Sequence, residues 1–208
     1  MKKLTLLSAI FAASMAQAEV SFNAAATSNY VWRGDTQTAD ASAVQGGVDY
    51  AHESGLAAGV WTSSIAGDTE VDYYASFGGE TGALSYEVGA ILYDYNADAL
   101  DFTEAYVSVG FMDASLTYYK KVNDNDDNDD TDDASYVSLG YGLSLAEDLS
   151  LDLAAGQTLD VDKSDDDADK YDVLVSLTKS LPEFDFSITM TDKEDGENEA
   201  FITVSKGF

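Results

Sequence analysis

From Val20 to Phe208 the chain repeats one pattern: apolar and polar side chains alternate in short runs, broken by turns rich in Gly, Ser, Asn and Asp. A period of two sends successive side chains to opposite faces of a strand, and no helix reproduces it. In the first run Val20, Phe22, Ala24, Ala26, Tyr30 and Trp32 share one face, and Ser21, Asn23, Thr27, Asn29 and Arg33 share the other. The last run places Ala200, Ile202, Val204, Lys206 and Phe208 opposite Glu199, Phe201, Thr203 and Ser205. The runs number about twelve. One proline, Pro182, and no cysteine interrupt them. Proline removes a donor from a sheet ladder, so its scarcity suits an all-β chain. The missing thiols exclude disulfides and thiolate metal sites.

The connections carry separate information. Those after the even strands are short: 53–55, 79–82, 112–113, 145–148 and 180–183. Those after the odd strands are longer and more polar, at 34–41, 94–100, 123–133, 159–168 and 192–198, with a short one near 66–69. Short and long loops that alternate by end, with an even strand count, match a closed antiparallel up-and-down transmembrane β-barrel of the outer-membrane type. Tyr and Trp near strand ends suit aromatic girdles. A C-terminal aromatic on an amphipathic last strand makes Phe208 the expected assembly signal, read by a barrel-assembly machinery. The alternative is a soluble periplasmic β-sandwich binding protein, which would bury one face of each strand in a shared core.

Residues 1–18 read as a cleaved secretory signal. Lys2 and Lys3 precede an apolar stretch from Leu4 to Ala13, and Ala16-Gln17-Ala18 offers small residues for cleavage after Ala18. That stretch is shorter than the ~20 residues a spanning helix needs. The domain is then 19–208, exported by a Gram-negative bacterium to its outer membrane, with outer-membrane lipid as its surroundings. The formal charge is −29, and losing the two leader lysines takes it to −31. Such a surface excludes nucleic acid as a partner and a basic helix lying on anionic lipid.

The stretch Ser28-Asn29-Tyr30-Val31-Trp32-Arg33-Gly34, followed by Ala43-Val44-Gln45-Gly46-Gly47-Val48-Asp49-Tyr50 and Gly59-Val60-Trp61-Thr62-Ser63, resembles the N-terminal signature of the TorF family of porin-like proteins. The resemblance is sharpest over 20–65. It implies a proteobacterial outer-membrane barrel, without naming a solute.

Catalysis finds little purchase. Barrel enzymes commonly use a histidine as base, and the single histidine, His52, adjoins a short turn at the periplasmic rim. No enzyme activity and no cofactor are expected. The run Asn123 to Asp133 invites calcium but fails the EF-hand template: from Asp124, the glycine position holds Asp129 and the glutamate position holds Ser135. It and 159–168 read as acidic, solvated extracellular loops, capable at most of loose divalent-cation binding. Arg33-Gly34-Asp35 spells an adhesion tripeptide that chance readily supplies, and its arginine belongs to the family-like segment at the barrel's outer end.

If the apolar faces meet lipid, the opposite faces line a lumen. That assigns Asp49, Glu70, Asp72, Glu87, Glu104, Asp152, Asp172, Asp185 and Glu199 inward, against Arg33 and Lys121. Confined carboxylates concentrate cations and repel anions. The expected function is a porin passing small solutes with cation preference. The competing possibility is a closed structural barrel whose interior is filled by Tyr74, Tyr93 and Tyr106, with Arg33 a salt-bridge partner of lumenal acids and the acidic loops serving as an interaction surface.

Overall fold

The computed structural model describes residues 18–96, 101–124, 135–159, 170–194 and 196–208. Residues 1–17 of the expected signal, and nearly all of the acidic segments 123–133 and 159–168, lie outside the described residues. The strands are β1 (Glu19–Thr27), β2 (Val31–Trp32), β3 (Asp35–Thr36), β4 (Ala43–Ala51), β5 (Leu56–Ile65), β6 (Asp68–Thr81), β7 (Leu84–Tyr95), β8 (Phe102–Phe111), β9 (Ala114–Asp124), β10 (Ser135–Ala146), β11 (Leu149–Leu159), β12 (Tyr171–Ser180), β13 (Asp185–Lys193) and β14 (Glu199–Gly207). All but β2 and β3 form one closed antiparallel barrel of twelve strands. Consecutive strands pair, and β1 closes the ring by pairing with both β4 and β14. At the seam the Phe208 amide donates to the Phe22 carbonyl at 2.8 Å, and the Phe22 amide donates back at 3.3 Å. No described helix is long and apolar enough to cross a membrane.

The two faces of the wall are as the alternation predicts. Val20, Phe22, Val48, Val88, Val107, Leu139, Val175, Ile188 and Ile202 stand exposed on the outside. Among the described residues, the buried apolar side chains are only Ala43, Tyr93, Tyr106 and Tyr136, whereas Gln45, Ser63, Glu70, Ser76, Glu104, Asp172, Ser176 and Thr189 are buried. A polar interior inside an apolar belt inverts the soluble arrangement. Two stacked sheets with a dry shared core are therefore excluded, and the sandwich alternative falls. The belt far exceeds the few hundred Å² of contiguous apolar surface that a soluble monomer tolerates.

Three expectations need correction, all near the N-terminus. The first strand ends at Thr27, so Tyr30 and Trp32 do not continue its outer face and Arg33 is not on a barrel strand. The segment between β1 and β4 is not an outward loop; it turns into the barrel. Neither tryptophan sits in a girdle: Trp61 lies on the inner face of β5 against Tyr30, with ring centroids 5.5 Å apart, and Trp32 packs against Tyr93 and Phe102. The rim nearest the termini is instead ringed by Tyr50, Phe77, Tyr86, Phe111, Phe184 and Phe208, all exposed. There Lys206 reaches between Phe184 and Phe208, 5.4 and 5.2 Å from their ring centroids, and bonds Glu183 at 2.6 Å. Lys179 likewise bonds Asp148. Those hydrogen bonds hold the Glu183 and Asp148 carboxyls below the usual range. Any stability they add is present above ordinary carboxylate pKa values and is lost as pH falls through the lowered ones.

Inside, tyrosine rings lie over neighbouring glycines. Tyr74 on β6 covers Gly59 on β5 and donates to Asp49 on β4. Tyr136 on β10 covers Gly156 on β11 and donates to Asp172 on β12 at 2.9 Å. Tyr106 covers Gly89, its cross-strand partner, and donates to Glu87 at 2.5 Å. A ring laid across a glycine gains packing where the strand has no side chain, and its hydroxyl reaches a carboxylate one or two strands away. A Cβ at Gly59 or Gly156 would overlap the ring itself. Gly59→Val is therefore expected to lower the unfolding free energy of the vesicle-refolded barrel by about 1–3 kcal/mol, the usual cost of overpacking, read from urea transitions.

Candidate functional site

The segment from Ser28 to Ser42 builds the site. Its root extends the seam: the Ser28 amide donates to the Ile202 carbonyl at 2.9 Å, and the Ile202 amide donates to Ser28 Oγ at 3.0 Å. Asn29, which is buried, then organises the turn inward. Its Oδ1 accepts from Thr36 Oγ1 at 2.7 Å and Thr38 Oγ1 at 2.8 Å, while its Nδ2 donates to Asp40 and to Glu199. Every polar atom of the amide is engaged, as burial requires.

β2 and β3 pair as a miniature hairpin, Val31 opposite Thr36 and Trp32 opposite Asp35. Its two tip residues are Arg33 and Gly34, with φ of 48° and 82°. Positive φ at both central positions is the mark of the two-residue hairpin turn whose twist suits paired strands. Gly34 is needed twice over, because a Cβ there would stand 2.9 Å from Lys193 Cβ and 3.1 Å from Asp172 Cβ. The Arg33-Gly34-Asp35 tripeptide is thus the tip of a buried hairpin, not an outward adhesion loop.

The tip crosses the lumen to the far wall. Arg33 donates to both carboxylate oxygens of Glu104, on β8, at 2.8 and 2.7 Å. Its guanidinium packs 4.2 Å from the Trp32 centroid, 5.0 Å from Tyr119 on β9 and 4.1 Å from Tyr136 on β10. Asp35 pairs with Lys193 on β13. On the other side Tyr30 donates to Glu70 on β6 at 3.4 Å. Anchors on β6, β8, β13 and β14 fix the hairpin across the bore. The gap between its tip and the wall from Tyr136 to Thr191 is about 20 Å³, room for about one water.

The expected lumenal acids all face inward, in two tiers. Glu70, Asp72, Glu104, Asp172 and Glu199 lie near the long-loop ends of their strands, around the hairpin. Asp49, Glu87, Asp152 and Asp185 lie near the short-turn ends. Glu104 also accepts from Tyr93 at 3.2 Å, and Asp49 accepts from Asn23 at 3.1 Å. The hairpin brings together Arg33, Glu104 and Asp172, which the sequence placed on one lumen without naming which acid Arg33 would pair with. Asp49 and Asp185 stay remote from that cluster.

Sequence reasoning missed Tyr95, Tyr119 and Tyr136 as lumenal residues, and Asn29 as the hairpin's organiser. The alternation carried the tyrosine signal, since Tyr119 neighbours the outward Tyr118 and Tyr136 neighbours Val137. His52 bonds Ser54 within its exposed turn at 2.8 Å. No described group of three or more His, Cys, Asp and Glu residues could hold a metal ion.

The Arg33–Glu104 pair is nearly dry, with side chains 14% and 5% exposed. Removing one partner of such a pair strands the other charge. Arg33→Ala is expected to cost about 3–5 kcal/mol in urea unfolding, and Arg33→Ala with Glu104→Gln to recover part of it.

The chain superposes on the structure of a KdgM porin with a TM-score of 0.66 at 10% identity, covering 90% of this chain and 99% of that one. A KdgM porin in complex with disordered oligogalacturonate gives 0.61 at 8% identity, covering 91% and 97%. At such identities the likeness is one of fold. No curated protein matches the chain. A family model matches residues 12–208, nearly the whole of it, and on that match the chain belongs to Gcw_chp, a family of bacterial proteins of unknown function.

Proposed function

We propose that this protein is an outer-membrane porin that passes small solutes, with a preference for cations, through a bore narrowed by the inward hairpin. The apolar belt supports the membrane setting, because a closed barrel satisfies every backbone group without water. Strands of nine to fourteen residues suit the ~9–11 that a tilted strand needs to span. The resemblance to TorF proteins and the fold shared with a KdgM porin support the same reading. The signal sequence ending at Ala18 belongs to it as the route of export. No cofactor and no catalytic step enter it.

The observation that carries the cation preference is the inner tier of Asp49, Glu87, Asp152 and Asp185. Among the described residues, no Lys or Arg shares that end of the lumen: Lys179 and Lys206 pair with acids of the rim turns instead. In planar bilayers under a salt gradient the wild type is expected to give a reversal potential of cation sign. Asp152→Asn with Asp185→Asn should reduce it, and an anion-signed wild-type potential would refute the preference.

A second reading, a closed structural barrel, is favoured by the tight fit of the hairpin tip against the far wall. Absence of conductance steps in the wild type, with steps in a variant lacking residues 30–38, would select it.

Phe208 is proposed as the assembly signal read by a barrel-assembly machinery. It is 70% exposed, and its ring lies 5.2 Å from Lys206 Nζ. Phe208→Ala, which keeps the backbone bonds to Phe22, is expected to reduce severalfold the heat-modifiable protein recovered from outer membranes, while leaving refolding of the purified chain into detergent intact.

A further inference from the structure

Above the hairpin, at the long-loop end, the barrel opens into a cavity of about 310 Å³. Eight of the ten Lys and Arg residues lie beyond the leader, and four of those eight, Arg33, Lys121, Lys170 and Lys193, line this one space. In a chain of formal charge −29 that concentration runs against composition. The lining also holds the acids Asp35 and Glu104, and each is already held by one of those cations, Lys193 and Arg33. Two apolar surfaces complete it: Trp32, and Phe102, over whose ring Lys121 sits at 5.8 Å.

We propose that this vestibule is a recognition site for a small solute bearing a carboxylate on a flat, weakly polar body. The carboxylate is taken by Lys121 and Lys170, and the body lies against Trp32 and Phe102. Lys121 and Lys170 have partners of their own. Capture therefore exchanges those partners for the carboxylate of the solute. Volume permits it: about 310 Å³ lies at the small end of the roughly 300–1,000 Å³ of small-ligand clefts. The site faces the long-loop side and precedes the inner acidic tier. That tier repels an anion, so the solute is held at the entrance and is not the one conducted; the inference goes beyond the porin reading and requires only the cavity, not conduction.

Benzoate is the probe, titrated into the detergent-refolded full barrel while tryptophan fluorescence is followed, since Trp32 lines the cavity. Saturable change in the millimolar range is expected, weakening with added salt. Benzyl alcohol and benzylamine should each give at least tenfold weaker responses. Lys121→Gln with Lys170→Gln, checked for heat-modifiability, should weaken benzoate binding about tenfold, and Lys179→Gln at the opposite rim should leave it unchanged. Equal response to benzyl alcohol, a stronger response to benzylamine, or unchanged binding in the folded double variant would overturn the proposal. A barrel that binds benzoate and carries no current would refute the pore and keep the vestibule; one that conducts without binding would do the reverse.

Discussion

Closure of the sheet is the constraint from which everything else follows. β1 pairs on both sides, so no strand of the wall is left with an unpaired edge and the backbone is satisfied without solvent. Once the ring is shut, a period of two leaves only an inside and an outside. The apolar set goes out and the carboxylates go in, where they must find partners at close quarters. Tyrosine hydroxyls supply many of these: Asp49, Glu87, Glu104 and Asp172 each accept one. The glycines that let the rings lie flat belong to the same solution, because a ring standing upright would fill the bore.

The hairpin solves a second problem, that of bringing a positive charge to the middle of this acidic interior. None of the barrel strands places an arginine there. Arg33 arrives instead on a two-residue turn, held by its bidentate bond to Glu104 and by three aromatic rings. That crossing separates an outer chamber, whose lining mixes four cations with Asp35 and Glu104, from an inner end whose described inward charges are acidic. The basic side chains are thus gathered at one end of an interior that the overall charge would make uniformly acidic.

Much of this was legible in the residues. Alternation assigned the inner and outer faces of the wall, including the inward acids, because each side chain's face depends only on parity within its own strand. Loop lengths located the two ends for a similarly local reason. The hairpin was not legible. Val20 to Trp32 can be read as one continuous alternating strand, and nothing local says that the chain leaves the wall after Thr27. The departure is decided by distant groups: Glu199 for Asn29, Glu104 for Arg33 and Lys193 for Asp35. The vestibule stayed hidden for the same reason, as Lys121, Lys170 and Lys193 sit on or beside separate strands and meet only when the ring closes.

Those separations carry a temporal meaning. Arg33 waits 71 residues for Glu104, Asp35 waits 158 for Lys193, and Asn29 waits 170 for Glu199. Contacts so far apart along the chain form late, after the entropy of the intervening loops has been spent. The full set of crossbar contacts draws on β8, β13 and β14 and is complete only when all three are in place. The crossbar, held at both ends of the chain's sequence, is thus a mark of the finished ring.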